Sequence, residues 1–299
     1  HTTLNDDRMN MQKIAAGMQW NMFEMAGGTA STYFGVETFD VNYRADVDAQ
    51  SEAGLVGGSA GNSAQGSRSV NAVMAEAILP VTDYLEVDLA VRYDNYDDFG
   101  SEVSPRVGAR FTMIDNLVVK ASYGQGFRAP DLSDLYGATS FSAESAKDYY
   151  GCSLDGVSEA DCPDRQFDTY IGSNPDLMAE TSETMSFGLE YTYDNNWVAK
   201  VNYVTLELQS AVEYVSAQDM LNVDRNTGGN NPQVDRNSLG AVTEIRAGYQ
   251  NAVNDVQRQS VDLALDGTIH ESDDYGTFGF RGEATKYLKF ETETEFGSG

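Results

Sequence analysis

The sequence predicts an all-β fold, an antiparallel transmembrane β-barrel, and three observations lead there. Apolar and polar side chains alternate with period two in about ten separate segments, giving each strand one face for an apolar medium and one for water. Several segments run to about ten residues or more, the length of a tilted bilayer-crossing strand rather than the about five or six usual in soluble sheets. The connections alternate between short and long, and outer-membrane barrels carry short turns on the periplasmic side and long loops outside.

The first segment, "QKIAAGMQWNMF", puts Ile14, Ala16, Met18, Trp20 and Met22 on one face, and the turn "AGGTA" sends the chain back through 31–43. A Gly/Ser-rich stretch of about 44–69 reads as a long loop. Residues 70–79 then lead through Pro80-Val81-Thr82-Asp83 to the clearest strand, where Leu85, Val87, Leu89, Val91 and Tyr93 face one way and Glu86, Asp88, Arg92 and Asp94 the other. After "DNYDDFGSE", residues 104–113 set Val107, Ala109 and Phe111 against Arg106, Gly108 and Arg110, and the turn "IDN" opens the strand at 117–123. A long polar loop, 137–179, precedes two strands at 184–193 and 197–208 joined across "DNN". A third long loop, 209–257, precedes the strand around Val261, Leu263 and Leu265, and "HESDDYG" leads into 277–290. All long connections fall on one side if "DNYDDFGSE" is the briefest of them. Leu85, Val87, Leu89, Val91 and Phe111 are expected to face lipid, and Arg92, Arg106, Arg110 and Lys120 the barrel lumen.

Composition excludes several classes. The 299 residues carry 19 Lys+Arg against 47 Asp+Glu, a net charge of −28, so a nucleic-acid partner, which needs a basic face, is excluded. Disorder is excluded by a 41% hydrophobic content laid out periodically, and 28 Gly, 17 Tyr and 13 Phe suit turns and aromatic strands. No run is apolar for long enough to form a membrane-spanning helix, and no signal peptide is read at the start. The alternative to a barrel is a secreted acidic β-sandwich, an adhesin or binding module. Outward aromatic girdles separate the two.

Four motifs suggest chemistry, and three of them lose it on inspection. "LVVKASYGQGFRAP" matches a dinucleotide fingerprint, but its strand has one polar face, and "DLSDLYG" is too short for a crossover helix. Gly57-Gly58-Ser59-Ala60-Gly61 matches a nucleophile elbow, but the chain owns only His1 and His270, and its neighbours "GNSAQGS" read as flexible loop. Paired carboxylates such as Asp97-Asp98 and Asp273-Asp274 sit in turns with no apolar pocket to raise a pKa. Asp94, Asp97, Asp98 and Glu102 form a calcium candidate without the spacing of an EF-hand. No enzyme activity and no cofactor are expected. Cys152 and Cys162 bracket "CSLDGVSEADC", with no CxxC spacing and no histidine nearby, and are expected to form a disulfide in an oxidising compartment.

The order of "VRYDNYDDFGSEVSPRVGARF", "LVVKASYGQGFRAPDLSDLYG", "NPDLMAETSETMSFGLEY" and "QRQSVDLAL" resembles the β-barrel of TonB-dependent outer-membrane receptors. The resemblance runs from about Met11 to Phe290 and implies that residues 1–299 are part of one barrel domain, with about ten strands of a complement of about 22. It places Arg128-Ala129-Pro130 where a strand leaves the membrane toward the exterior, and "NPDLMAET" where the chain returns. Its glycines are expected to serve close approach at a bend. Nothing in the sequence resembles the family's plug domain, its TonB-contacting segment or its terminal aromatic strand.

The resemblance implies an outer-membrane, multi-pass receptor for active uptake of a scarce nutrient of siderophore-iron, cobalamin or glycan type. Its partners would be outer-membrane lipid, its own plug domain and the TonB complex, with a small-molecule or oligosaccharide cargo. The lumen set Arg92, Arg106, Arg110 and Lys120 would then support the plug. Loops 137–179 and 209–257 are expected to select cargo, with Tyr149, Tyr150, Tyr170 and Tyr214 for stacking or sugar contacts and Arg165, Arg225 and Arg236 for anion contacts. Their acidity argues against a strongly anionic cargo.

Overall fold

The computed structural model describes residues 4–53, 55, 60–194, 196–253 and 255–292. In chain order the elements are β1 (Asn5–Met25), β2 (Gly28–Val47), α1 (Ala49–Glu52), β3 (Ala60–Gly61), β4 (Ala64–Thr82), β5 (Leu85–Tyr96), β6 (Gly100–Ile114) and β7 (Leu117–Arg128). There follow α2 (Leu132–Tyr136), β8 (Ser140–Ala146), α3 (Tyr149–Leu154), a 3-10 turn at Glu159–Asp161, β9 (Arg165–Gly172), β10 (Glu180–Tyr193) and β11 (Trp197–Gln209). The last are β12 (Val212–Val215), α4 (Ala217–Asn226), β13 (Val234–Arg236), β14 (Val242–Asn251), β15 (Val256–Ser272) and β16 (Gly276–Glu291).

Ten of these strands form one antiparallel sheet in the order β1-β2-β4-β5-β6-β7-β10-β11-β15-β16. They are the ten segments expected from the alternation, and at 12 to 21 residues they run longer than the alternation alone suggested. Register keeps the two faces apart across strand after strand. One row pairs Leu85 with Phe111, Phe111 with Val119, Val119 with Leu189, Leu189 with Val201 and Val201 with Leu263. The adjacent row pairs Glu86 with Arg110, Arg110 with Lys120, Lys120 with Gly188, Gly188 with Asn202 and Asn202 with Asp262. A slip of one residue in any strand would mix these rows, so the two-sided environment itself holds the register.

The apolar face is bare. Ile14, Met18, Phe34, Val36, Leu89, Val107, Phe187 and Leu263 all stay exposed. Toward the short-turn end it carries Trp20, Phe111, Tyr191, Tyr193 and Phe280, also exposed, with the Trp197 and Phe280 rings 6.4 Å apart. Such an aromatic band belongs at a lipid–water boundary and has no place on a sandwich dissolved in water. The polar face is laced by ion pairs: Lys13–Glu37 at 2.8 Å, Arg92–Asp94 at 2.7 Å, and Glu190 with both Lys120 (2.8 Å) and Lys200 (3.7 Å).

Every odd-numbered connection of the large sheet is a tight turn: 26–27, 83–84, 115–116, 194–196 and 273–275. Asp194 takes a left-handed backbone there (φ 50°), a conformation that Asp tolerates better than most residues. The even-numbered connections are 48–63, 97–99, 129–179 and 210–255. The expected sidedness therefore holds, with two adjustments: most of "DNYDDFGSE" is strand, so that only Asp97-Asp98-Phe99 turns, and the loop expected at about 44–69 narrows to 48–63 because β2 and β4 extend into it.

The long connections differ from their expected character as polar loops. They build a second sheet, β12-β14-β9-β8-β3, with β13 on β14, and its β14–β9 pair is parallel, matching Ile245 with Thr169 and Gly248 with Gly172. Helix α4 closes over this sheet, and Ala146, Val215, Ala217, Met220, Leu221, Val234 and Ile245 form a buried core with Phe167 and Val242 packed against it. Each large apolar side chain so buried contributes about 1.5–3 kcal/mol. Ser216 starts α4 with a capping box: its hydroxyl accepts from Asp219 N–H, and the Asp219 carboxylate accepts from Ser216 N–H at 3.0 Å.

Two further expectations change. "DLSDLYG" does form a helix, α2, but of one turn, and β7 before it is antiparallel to both β6 and β10, so no dinucleotide crossover exists. Gly124 is not required by close approach: a Cβ there would lie 3.6 Å from Arg106 Cγ, an ordinary contact. Of the nucleophile-elbow match, Gly57, Gly58 and Ser59 lie outside the described residues.

Candidate functional site at the loop-side rim

The second sheet stands over the end of the large sheet at which the long connections emerge, and the side chains chosen from the loops sort into two groups. Arg236, in β13, is buried inside the cap. Its Nε and Nη2 donate to Asp224 Oδ2 (2.8 and 2.6 Å), Nη1 and Nη2 to the two Asp148 oxygens (2.8 and 2.7 Å), and Nη1 also to Gly240 C=O (2.7 Å). All of its donors are thereby committed, and its guanidinium lies 4.9 Å from the centre of the Tyr150 ring. Burial alone would raise the Asp148 carboxyl, but the Arg236 hydrogen bonds and the Gly151 N–H outweigh it and hold the group below its ordinary value. Arg225 is paired with Glu159 and lies over Tyr149 at 5.6 Å. Tyr149, Tyr150, Arg225 and Arg236 therefore brace the cap.

The disulfide is present: Cys152 and Cys162 are joined with Cα atoms 5.9 Å apart. It ties α3 to the 3-10 turn beside Asp148, the residue that caps α3 by accepting from Gly151 N–H at 2.9 Å.

Arg165, Tyr170 and Tyr214 stay on the surface of the cap. Arg165 is exposed beside a cavity of about 360 Å³ lined also by Asp148, Leu239 and Val242. Tyr170 meets the Phe141 ring at 5.4 Å and, with Arg246, Tyr249 and Asn174, lines a second cavity of about 540 Å³. Tyr214 meets Tyr249 edge-on at 5.8 Å. Phe141, Tyr249 and Arg246 escaped sequence reasoning, because only the pairing of β8, β9, β12 and β14 brings them beside Tyr170 and Tyr214. Arg246 is itself engaged by Asp235 (2.8 Å) and Glu244 (2.9 Å).

A third cavity, about 660 Å³, opens where the polar face of β1 and β2 meets α2 and the end of β9. Asp7, Tyr43, Asp48, Asp134 and Tyr249 line it. This volume suits a small-molecule ligand of ordinary size. Burial pushes the Asp134 carboxyl above its ordinary value, and the neighbouring charge of Asp131 adds to the effect.

The four acids of the calcium candidate do not converge. Asp94 is gripped by Arg92, Asp98 pairs with Arg68 at 2.7 Å, and an Asp97 oxygen accepts from Ser69 N–H at 2.9 Å, while Glu102 lies across the strand pair from Asp94. Among the described residues no three potential ligands come together as a metal site. Arg92, Arg106, Arg110 and Lys120 do share the polar face of the large sheet, where Arg106 lies 4.0 Å from Asp88.

Residues 2–298 match the family described as TonB dependent receptor-like, beta-barrel. The chain is 30% identical over 155 residues, 48% of its length, to the ferric enterobactin receptor PirA of Pseudomonas aeruginosa, of which the match spans 18%. It is 24% identical over 180 residues to a second ferric enterobactin receptor of that organism, spanning 22% of it. The chain thus covers about a fifth of each of these relatives. The solved siderophore receptor PirA of Acinetobacter baumannii superposes with a TM-score of 0.66 at 16% identity, over 94% of this chain and 37% of that one. A mutant ferric enterobactin receptor of Pseudomonas aeruginosa, solved with enterobactin, gives 0.69 at 17% identity, over 95% and 36%.

Proposed function

The chain belongs to the TonB-dependent receptor β-barrel family, and from that premise we propose that it forms part of the wall and the outer cap of an outer-membrane uptake receptor. The observation that carries this reading is the pair of adjacent rows across the large sheet, one apolar and one polar, on whose polar side Lys120 and Lys200 meet Glu190. Only a wall between lipid and a hydrated lumen serves both rows at once. The bare apolar band equally disfavours a secreted adhesin, which would leave it facing water.

In this reading the long connections form an extracellular cap, and Arg92, Arg106, Arg110 and Lys120 line the lumen, where a plug domain supplied by the rest of the receptor would rest. Coupling to the TonB complex would reach the cargo through that plug. The cargo is a scarce nutrient of siderophore-iron, cobalamin or glycan type, with the iron chelates favoured because the relatives are ferric enterobactin receptors. Tyr170, Tyr214 and Arg165 remain accessible for it, whereas Tyr149, Tyr150, Arg225 and Arg236 serve by holding the cap together.

The test is a strain lacking the receptor, grown with ferric chelates, cobalamin or oligosaccharides as the limiting nutrient. Loss of growth on one of them, restored by the intact gene and dependent on TonB, is expected. Unchanged growth on all three would remove the reading. The faces are tested by single cysteines and a membrane-confined thiol reagent: labelling at position 87 and none at position 106 is expected.

A further inference from the structure

The 660 Å³ cavity at the rim has a lopsided charge. Three carboxylates line it, from Asp7, Asp48 and Asp134, and no Lys, Arg or His does among the described residues. Asp48 is occupied with local structure, its oxygens accepting from the N–H groups of Leu4, Gln50 and Ser51 and from the Ser51 hydroxyl. Asp134 is different. It is nine-tenths buried at the wall of the cavity, and its carboxylate accepts one long hydrogen bond, 3.3 Å, from the adjacent Ser133 hydroxyl. Among the described residues no cation stands within ion-pair distance of it, and Arg128, whose field reaches it, is held by Glu180 at 3.2 Å and by Asp131 at 4.0 Å. A buried carboxylate without a counter-ion is costly, and a cation arriving from outside relieves that cost.

We propose that this cavity is a subsite for a protonated amine on the cargo, with Asp134 as its counter-ion and Asp7 as the outer carboxylate. The inference rests on the uptake reading for the identity of the visitor, and the subsite's preference for a cation is tested separately. The flanking rings of Tyr43 and Tyr249 suit an ammonium group, which is drawn to aromatic faces. A bare metal ion is the wrong occupant, because no three ligating side chains converge among the described residues. A strongly anionic chelate is disfavoured here too. Three of the cap arginines that would attract one are engaged, Arg236 by Asp148 and Asp224, Arg225 by Glu159 and Arg246 by Asp235, and the exposed Arg165 lines a different cavity.

The experiment uses the full-length receptor purified in detergent, titrated with two probes and read by intrinsic fluorescence. One is a ferric linear trihydroxamate ending in a free primary amine, and the other is the same chelate with that amine acetylated. The free amine is expected to bind at least about tenfold more tightly, as one desolvated ion pair allows. Asp134→Asn, which keeps size and shape, should bring the two affinities within about twofold, and Asp134→Glu should restore part of the gap. Unchanged heat-modifiable mobility on gels establishes that each variant is folded. Equal affinities in the parent, no measurable binding of either chelate, or a gap that survives in Asp134→Asn each overturns the subsite. Cellular uptake of the acetylated chelate in those cases leaves the transport reading standing, whereas a gap in the parent that closes in Asp134→Asn, without any uptake, removes transport and leaves the subsite.

Discussion

The large sheet and the cap are built from the same alternating strands, yet they are inside out relative to one another. In the large sheet Leu89, Val107 and Phe187 point outward and stay bare, while Lys120, Glu190 and Lys200 meet on the opposite face. In the cap Leu221, Ile245 and Val215 are fully enclosed, and charges such as Arg225 and Glu159 lie outside. The solvent explains the difference. Lipid leaves apolar side chains nothing to flee from, and every backbone group must be paired by neighbouring strands, so the sheet can be one layer thick. Water forces the cap to make a core, for which it needs a helix as well as a sheet.

The contrast predicts different vulnerabilities, and the deepest should be inside the cap. Arg236→Ala leaves Asp148 and Asp224 buried without their cation, and removing one partner of such a network costs about 3–5 kcal/mol. Hydrogen exchange across 217–226 should accelerate while the large sheet stays protected. Equal loosening of both regions would show that they are a single cooperative unit. Acid acts on the same joint. The Asp148 carboxyl is held below its ordinary 3.8 in the folded cap, so the stability it contributes is present above that value and drains away as the pH falls through the lower folded value. The cap should therefore begin to release below about pH 4.

In the large sheet, the next largest effect should depend on which way a side chain points. Leu89→Arg sets a cation on the bare face and should cost about 2–4 kcal/mol near the bilayer midplane. Ala90→Arg, one residue on, faces Arg106 across the strand pair and the hydrated side, and should cost far less. Refolding into lipid vesicles under urea measures both, and equal losses would abolish the two-sided assignment.

Cap-local constraints come third. Replacing Cys152 and Cys162 by Ser opens a short ring and should cost somewhat less than about 3 kcal/mol, confined to the cap. Proteolysis should then cut between α3 and β9 without touching the large sheet. The smallest change is Ser216→Ala, which removes one half of the capping box and should lower the stability of α4 by about 1 kcal/mol. Thermal melts followed by cap fluorescence resolve it.

The same contrast accounts for what could be read in advance. Period two is a local signal, so Leu85 to Tyr93 announces its strand within nine letters, and the alternating turn lengths announce the sidedness. The cap's core is assembled from Ala146 in one connection and Val215, Leu221 and Ile245 in another, and no local window contains it. That is why the long connections read as polar loops. For the site, Tyr170 and Tyr214 lie exposed on the cap, whereas the acids that engage Arg236 are 12 and 88 residues away, so the letters around it do not show that its charge is spent. Asp134 lies inside "DLSDLYG", a stretch whose letters announce only that it is too short for a crossover helix. The flanking Leu132 and Leu135, both buried, are the signal that the turn is anchored.

The parallel pairing of β9 with β14 has a consequence in time. Thr169 and Ile245 belong to different connections, and two whole strands of the large sheet, β10 and β11, lie between them in the chain. Neighbours so remote cannot find each other early, because the entropy of closing that loop must first be offset by something else. The β10–β11 hairpin does so, delivering both connections to the same side of the membrane. Insertion must therefore precede closure. A chain arrested before β11 crosses the bilayer would display β8 and β9 with the partner edge of β9 unclaimed, a template for pairing with another chain that the finished fold conceals.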